Sequence, residues 1–295
     1  MDKVTVIIPS YNHENFVTES INSVLNQDYK NIELIVIDDG SKDGSVELLK
    51  KLASNNSFHL VLKENEGVCA TLNLGLNLAN GSFITFIASD DFMPPSRISE
   101  QVEAFKAHPA AEVIAGSVKI IDEKSKVISS KKVRGKGYLT IDQMFKKNMV
   151  FAPTAMFKKE VFIKYGLYKE NYLFEDYYRW LKILSSGGKI LNIDRVWAFY
   201  RISSGNLEKR FDWYFKGYVQ TLSDYLPDIR AKMALDQYLL IFCAKMTLLL
   251  GHKFMRSNPD RVSKLRLHHR FVLRFVSFIP NVFRQKILIY LIREL

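Results

Sequence analysis

Residues 83–91 read FITFIASDD. FITFIA is an unbroken run of apolar and β-branched side chains, and it stops on two adjacent carboxylates. That is the pattern of a strand buried on both faces that opens into a charged loop. Asp90 and Asp91 repel each other. Something positive therefore belongs beside them: a metal ion, an Arg or Lys, or a metal-bound diphosphate. Pro94 and Pro95 fix the chain's exit from the loop. A plainer account makes Asp91 or Ser96 the cap of the next helix. The rest of the chain has to choose between the two.

Working outward, the same design repeats. Val4–Ile8 is an apolar strand pattern ending in the turn-rich Pro9–His13, and Asn12 or Asn15 can cap a helix with an apolar stripe at Phe16, Ile21, Val24 and Leu25. IELIVI (32–37) is a second strand that ends in Asp38-Asp39-Gly40-Ser41, with a helix expected from Asp43. His59–Leu62 is a third strand, Asn65-Glu66-Gly67 a turn, and Val68–Ala79 a helix. Alternating apolar strands and helices predict a parallel sheet covered on both faces. Ligands of such sheets bind beyond the carboxyl ends of the strands. Pro9–His13, Asp38–Ser41 and Ser89–Asp91 all fall at that edge, so two Asp pairs face one crevice. No GxGxxG or GxxxxGK[ST] is present, which argues against dinucleotide and P-loop chemistry. Nor does any His/Cys cluster have zinc spacing.

Beyond the two prolines the pattern continues with a helix over Ser96–Ala107 and a strand over Glu112–Ile121. A Lys/Ser/Gly-rich loop or hairpin follows over Lys124–Gly137, then a bend at Ala152-Pro153-Thr154. Lys158–Tyr165 reads as a short helix stopped by Gly166. Phe174-Glu175-Asp176 opens a helix to Ser186, and Ile190–Tyr200 is a last strand ending at Arg201. His13 reads as a solvated loop residue. Arg201 could meet phosphate or an acceptor, or form a surface salt bridge.

The chain has 295 residues, 47% of them hydrophobic, which suits a globular core. Its formal charge of +11 is uneven. Residues 206–295 hold 16 basic and 7 acidic side chains, leaving 26 and 24 in 1–205. That step marks a boundary near 205. Cys69 and Cys243 lie far apart in apolar helical patterns, as reduced core cysteines do. The N-terminus runs straight into a strand pattern without a secretion signal, and no 18-residue apolar stretch exists. Phe211–Leu226, Met233–Leu250, Arg261–Phe278 and Asn281–Glu294 read as helices. In the last two, basic residues mingle with Phe, Leu and Ile. That composition suits helices lying on an anionic membrane surface; a helix pair with its basic face in water fits the same residues. No nucleic-acid-binding motif is visible.

Taken together, VIIPSYN (6–12), VIDDGSKDGS (36–45), NEG (65–67), ASDD (88–91) and FEDYYRWLKI (174–183) resemble, in order and spacing, the family 2 glycosyltransferases over roughly 1–205. The resemblance implies an α/β, GT-A (Rossmann-like) fold, a mostly parallel sheet flanked by helices and followed by a C-terminal α-helical region. It implies a catalytic domain over 1–205, with 1–91 binding the nucleotide and 92–205 the acceptor, and a basic helical region over 206–295. The implied activity is inverting transfer of a sugar from a nucleotide-sugar donor, with UDP the best fit, to a glycan acceptor. That acceptor would be lipid-linked, as in O-antigen, capsule or exopolysaccharide synthesis.

Carried over residue by residue, Pro9, Tyr11 and Asp39 hold the base, and Asp90 lies near ribose and diphosphate. Asp91 binds Mn²⁺ or Mg²⁺, and Asp176 is the base that deprotonates the acceptor. Glu175 is the nearest rival for that role. A carboxylate only accepts hydrogen bonds, which suits the N3–H of uracil or thymine at Asp39. Asp176 sits in a helix's first turn, where the dipole favours its charged form. Many relatives carry Asp where Ala88 stands here, so tight metal binding without nucleotide is in doubt. A cytoplasmic location is expected, peripheral on the inner face of the membrane through 261–295. The competing expectations are a nucleotide-sugar-binding protein without activity, against which Asp39, Asp91 and Asp176 stand, and a nucleotidyltransferase. The latter lacks its usual glycine-rich basic signature in PSYNHEN.

Overall fold

The computed structural model describes residues 1–202 and 207–238. The chain divides into two compact units, Met1–Asn171 with Glu175–Ser203, and Tyr172–Phe174 with Ser204–Leu295. The expected helices over 261–278 and 281–294, most of that over 233–250, and Cys243 lie outside the described residues.

The first unit is built on one sheet. Four strands, β1 (Val4–Ser10), β2 (Ile32–Asp39), β3 (His59–Lys63) and β4 (Phe83–Phe86), run parallel in the order β3-β2-β1-β4. They are joined by α1 (Val17–Leu25), α2 (Ser45–Asn55) and α3 (Val68–Leu78). β1 and β2 are buried almost throughout, as their uninterrupted apolar runs require. Past β4 come α4 (Arg97–Ala107), β5 (Val113–Ile121) and β6 (Val127–Lys131), and β6 folds back on β5 as a hairpin. Then follow β7 (Gly137–Tyr138), α5 (Ile141–Lys146), a single 3₁₀ turn over Ala152–Thr154, β8 (Met156–Lys158), α6 (Glu160–Tyr165), α7 (Glu175–Ser185) and β9 (Ile190–Arg201). The sheet continues β4-β8-β5-β9-β7, with β5 parallel to β9 and β8 antiparallel to both its neighbours.

Two expectations change here. The bend at Ala152–Thr154 delivers a strand as well, since Met156–Lys158 fills the gap between β4 and β5. Three residues show no period, so only the pairing reveals them. The first helix is capped by neither asparagine: its N-cap is Phe16, and no side chain caps it. The face turned inward is Val17, Ser20, Ile21 and Val24, while Leu25 is exposed. In the second unit α8 (Leu207–Ser223) begins four residues before the expected Phe211, and residues 229–238 are helical. No helix of the described residues is long and apolar enough to cross a membrane.

α3 packs directly on the sheet because Gly75 lets it. A methyl there would lie 2.6 Å from Ile7 Cγ2 and 3.2 Å from Ile37 Cδ1. Both atoms belong to fully buried, β-branched side chains that cannot swing away. Gly75→Ala gains about 1 kcal/mol of helix propensity but overpacks the core by about 1–3 kcal/mol. The expected result is a net loss of stability, read as a lower urea midpoint with an unchanged slope.

Candidate functional site

Strand register assembles the carboxyl edge. Ser10 pairs with Asp38, and Asp39 with Lys63. The β1 loop is stitched to the β2 loop: Asn12, at φ 54°, donates its backbone N–H to Ser41 Oγ at 2.9 Å and accepts the Lys42 N–H on Oδ1 at 2.8 Å. Asp38 is spent locally, its oxygens accepting the Ser41 N–H at 2.9 Å and hydroxyl at 2.6 Å. Gly40 has φ +73°, and a Cβ there would meet the Asn65 nitrogen at 2.7 Å. The β2 loop can therefore lie against the turn before α3 only with glycine at this position.

That turn completes the setting of Asp39. One carboxylate oxygen accepts from the Lys63 ammonium and from the Glu66 N–H at 2.9 Å, the other from the Gly67 N–H at 2.9 Å. Burial on its own would raise the carboxyl, but the Lys63 and amide hydrogen bonds outweigh it and hold Asp39 below the usual range. A carboxylate has about four acceptor positions, and these contacts fill three. Tyr11 stands exposed on the adjoining loop. The Ser10 hydroxyl is buried with no hydrogen-bond partner among the described residues.

Asp91 is the opposite case. It is 2% exposed, and its Oδ1 accepts the Arg201 backbone N–H at 2.8 Å. Of the two cap candidates, Ser96 is the N-cap of α4, without a side-chain hydrogen bond, and Asp91 takes no part in it. Burial pushes the Asp91 carboxyl well above its ordinary range, and Asp90 pushes the same way. The Arg201 N–H and the charges of Arg201 and Arg97 pull back without prevailing. Arg97 is fully buried and donates to Thr85 Oγ1 at 2.6 Å and Gln101 Oε1 at 2.9 Å. Burial lowers its pKa to about 9 against the pull of Asp91.

His13 is not a solvated loop residue. It is partly buried, with Nδ1 2.8 Å from Ser89 Oγ and Nε2 3.9 Å from Asp90 Oδ2. Arg201 does form a salt bridge, with Glu19, but from a side chain that is itself only 3% exposed and bonded on several sides. His13, Lys63, Glu19 and Arg97 went unassigned in the sequence. Lys63 alone carried a usable signal, being the last residue of a strand that ends level with Asp39.

Glu175 and Asp176 open α7. Burial raises the Glu175 carboxyl to about 8, with Asp176 beside it adding to the shift. Burial raises Asp176 too, against the Tyr177 N–H at 2.6 Å and the Asn148 side chain. Burial therefore sets the direction of the Asp176 shift, against the lowering that the helix dipole had suggested from the sequence. Tyr168 ties this pair to α3. Its backbone N–H donates to Asn73 of α3, and Glu175, Asp176 and Cys69 all act on its hydroxyl electrostatically.

Among the described residues no group of three or more His, Cys, Asp or Glu is arranged to hold a metal ion. The donor set is the Asp90–Asp91 pair. Two carboxylates fit a Mg²⁺ or Mn²⁺ ion that takes its other ligands from phosphate and water, and the raised Asp91 carboxyl has a charge vacancy that such an ion would fill.

A model described as Glycosyl transferase family 2 matches residues 5–166. An uncharacterized glycosyltransferase of Rickettsia conorii is 31% identical over 188 residues, 61% of this chain and 31% of that protein. The chain thus spans about a third of that relative's length. WfaP of Escherichia coli, a UDP-Glc:alpha-D-GlcNAc-diphosphoundecaprenol beta-1,3-glucosyltransferase, is 28% identical over 212 residues, 70% of this chain and 80% of that protein. Among solved structures, Staphylococcus aureus TarS with UDP-GlcNAc superposes with a TM-score of 0.63 at 17% identity, covering 92% of this chain and 79% of that one. The mannosyltransferase PcManGT of Pyrobaculum calidifontis, with GDP-Man and Mn²⁺, gives 0.62 at 16%, covering 95% and 87%. At such identity these two speak for the fold alone, which is of the GT-A type.

Because Glu175 titrates higher folded than its usual 4.5, the folded chain keeps a proton between about pH 4.5 and 8 that the unfolded chain releases. Stability therefore falls as pH rises through that window. Glu175→Gln is expected to raise the melting temperature of the metal-free protein, most at pH 8 and least near pH 4, and to flatten its pH profile. An equal gain at every pH would refute the burial assignment.

Proposed function

The chain belongs to glycosyl transferase family 2, and on that premise we propose that it moves one sugar from a UDP-sugar to a lipid-linked glycan acceptor with inversion at the anomeric carbon. The observation that carries this reading is Asp39: a buried carboxylate with three filled acceptor positions, one left over, and the exposed Tyr11 ring on the next loop. That vacancy suits a single N3–H donor on a flat base. The printed activity of WfaP, which uses UDP-Glc and a diphosphoundecaprenol-linked sugar, supports both the donor and the acceptor class.

In this mechanism Pro9 and Tyr11 flank the uracil and Asp39 accepts its N3–H. Asp90 lies by the ribose and diphosphate. A divalent cation held by Asp91, with Asp90 beside it, would supply neutralisation of the charge that gathers on the departing diphosphate. The acceptor oxygen attacks the anomeric carbon, the bond from that carbon to the diphosphate oxygen breaks, and the electron pair leaves with UDP. Asp176 takes the acceptor's proton. Its raised pKa makes it a stronger base than a solvated aspartate. Glu175, raised to about 8, keeps its proton near neutral pH and so spares the pair a second charge. One displacement inverts the centre, so no covalent nucleophile is needed. In this reading 1–205 is the catalytic domain, with the donor half over 1–91 and the acceptor half over 92–205. The basic 206–295 faces the cytoplasmic side of the membrane, with 261–295 as its contact.

The test is nucleoside diphosphate release from a panel of UDP-, GDP- and dTDP-sugars with Mn²⁺ or Mg²⁺, with and without undecaprenyl-diphosphate-linked sugars. Release from one UDP-sugar, abolished by EDTA, is expected. Asp176→Asn should lower turnover by about 10²- to 10⁴-fold and leave UDP binding intact. Silence with every acceptor while UDP still binds would point to a binding protein without activity.

A further inference from the structure

We infer that Arg201 is a positioning residue: with Glu19 it holds the Asp90–Asp91 loop in place and does not itself reach the donor. This rests on the reading of that loop as the diphosphate and metal site. The geometry is unusually complete. The Arg201 backbone N–H donates to Asp91 Oδ1 at 2.8 Å, and its Nε donates to the Asp90 carbonyl at 2.7 Å. One residue thus grips the side chain of one aspartate and the backbone of the other. Its remaining arms turn away from the loop. Nη1 donates to the Asp122 carbonyl at 2.7 Å, and Nη2 to Glu19 Oε2 at 2.6 Å and Ser125 Oγ at 3.1 Å. The guanidinium also lies 4.5 Å from the centre of the Phe16 ring. Four of the five N–H groups of an arginine are engaged in these bonds, and a phosphate could be reached only by breaking them.

Glu19 is the keystone on the other side. It accepts from Arg201 and from the Ser125 hydroxyl at 2.8 Å, and Ser125 sits at φ 61° in the β5–β6 turn. Glu19 belongs to α1, whose next polar residues also seize the loop. The Ser20 hydroxyl donates to the Ala88 carbonyl at 3.1 Å, and Ser23 Oγ accepts the Met93 N–H at 3.2 Å. Residues 88–93 are thereby bracketed by one helix face and one strand end. A planar fork meets these diverging acceptors, which a lysine cannot do. Outer partners of this kind typically govern metal affinity by about 10- to 100-fold.

The experiment uses the full chain with Glu19→Gln and Arg201→Lys. Amide exchange over 88–93 is followed without ligand, and UDP and uridine binding are titrated at several Mn²⁺ concentrations. Exchange at Asp91 and Phe92 is expected to quicken about tenfold, the worth of one hydrogen bond, with β1 and β2 unchanged. The Mn²⁺ needed for half-maximal UDP binding should rise about tenfold or more, with uridine binding unaffected. Glu19 is 41% exposed, so its variant carries the test even if Arg201→Lys fails to fold. Unchanged exchange in Glu19→Gln overturns the proposal. So does a loss of UDP binding in Arg201→Lys that Mn²⁺ does not restore and Glu19→Gln does not share, which would make Arg201 a direct phosphate contact. Quickened exchange in a chain that binds no UDP in any form keeps the positioning role and sinks the transferase reading.

Discussion

Like charges brought together at the ends of buried strands are the constraint from which the rest of this structure follows. A parallel sheet points its strand ends one way, so Asp38, Asp39, Asp90 and Asp91 share one edge. Carboxylates cannot be buried there unanswered. Asp38 is answered by its own turn and Asp39 by Lys63 and two amides. Asp91 receives one neutral donor and two more distant positive charges, and its carboxyl stays raised. The two outer carboxylates of the edge are therefore held in different states. One is committed to its charge, and the other is pushed by burial towards its neutral form.

The same logic explains the loops. Hydrogen bonds between them replace regular secondary structure: Asn12 to the β2 loop, His13 to Ser89, and the amides of the Glu66-Gly67 turn to Asp39. Each bond satisfies a backbone or side-chain group that would otherwise lie unpaired in a half-buried place. A polar edge results whose loops are cross-linked to one another, which is the arrangement expected where orientation matters more than bulk affinity.

Much of this was legible in the sequence, for identifiable reasons. Long apolar runs mark β1, β2 and β5 because strands buried on both faces tolerate little else, and aspartates stand out where such runs stop. Short or paired features were hidden. β8 has three residues and no period of its own. The entry to α1 follows loop-to-loop bonding, in which Asn12 is engaged with the β2 loop. His13 and Glu19 look like ordinary surface residues, because what they touch lies 76 and 182 positions away. The direction of the Asp176 shift was misjudged for a related reason: the helix end is visible in the sequence, while the burial that overrides it is not.

The span between Asp91 and Arg201 has a bearing on how the protein is made. β1 to β4 lie within residues 4–86, and each pairs with a strand from the same stretch. A chain leaving the ribosome from its N-terminus can therefore close the Asp39 setting early, from nearby contacts. Asp91 must wait through 110 further residues for the amide and guanidinium of Arg201, and β4 waits for β8 to cover its edge. During synthesis the molecule thus passes through a stage in which the contacts of Asp39 are complete and the paired aspartates are not yet set.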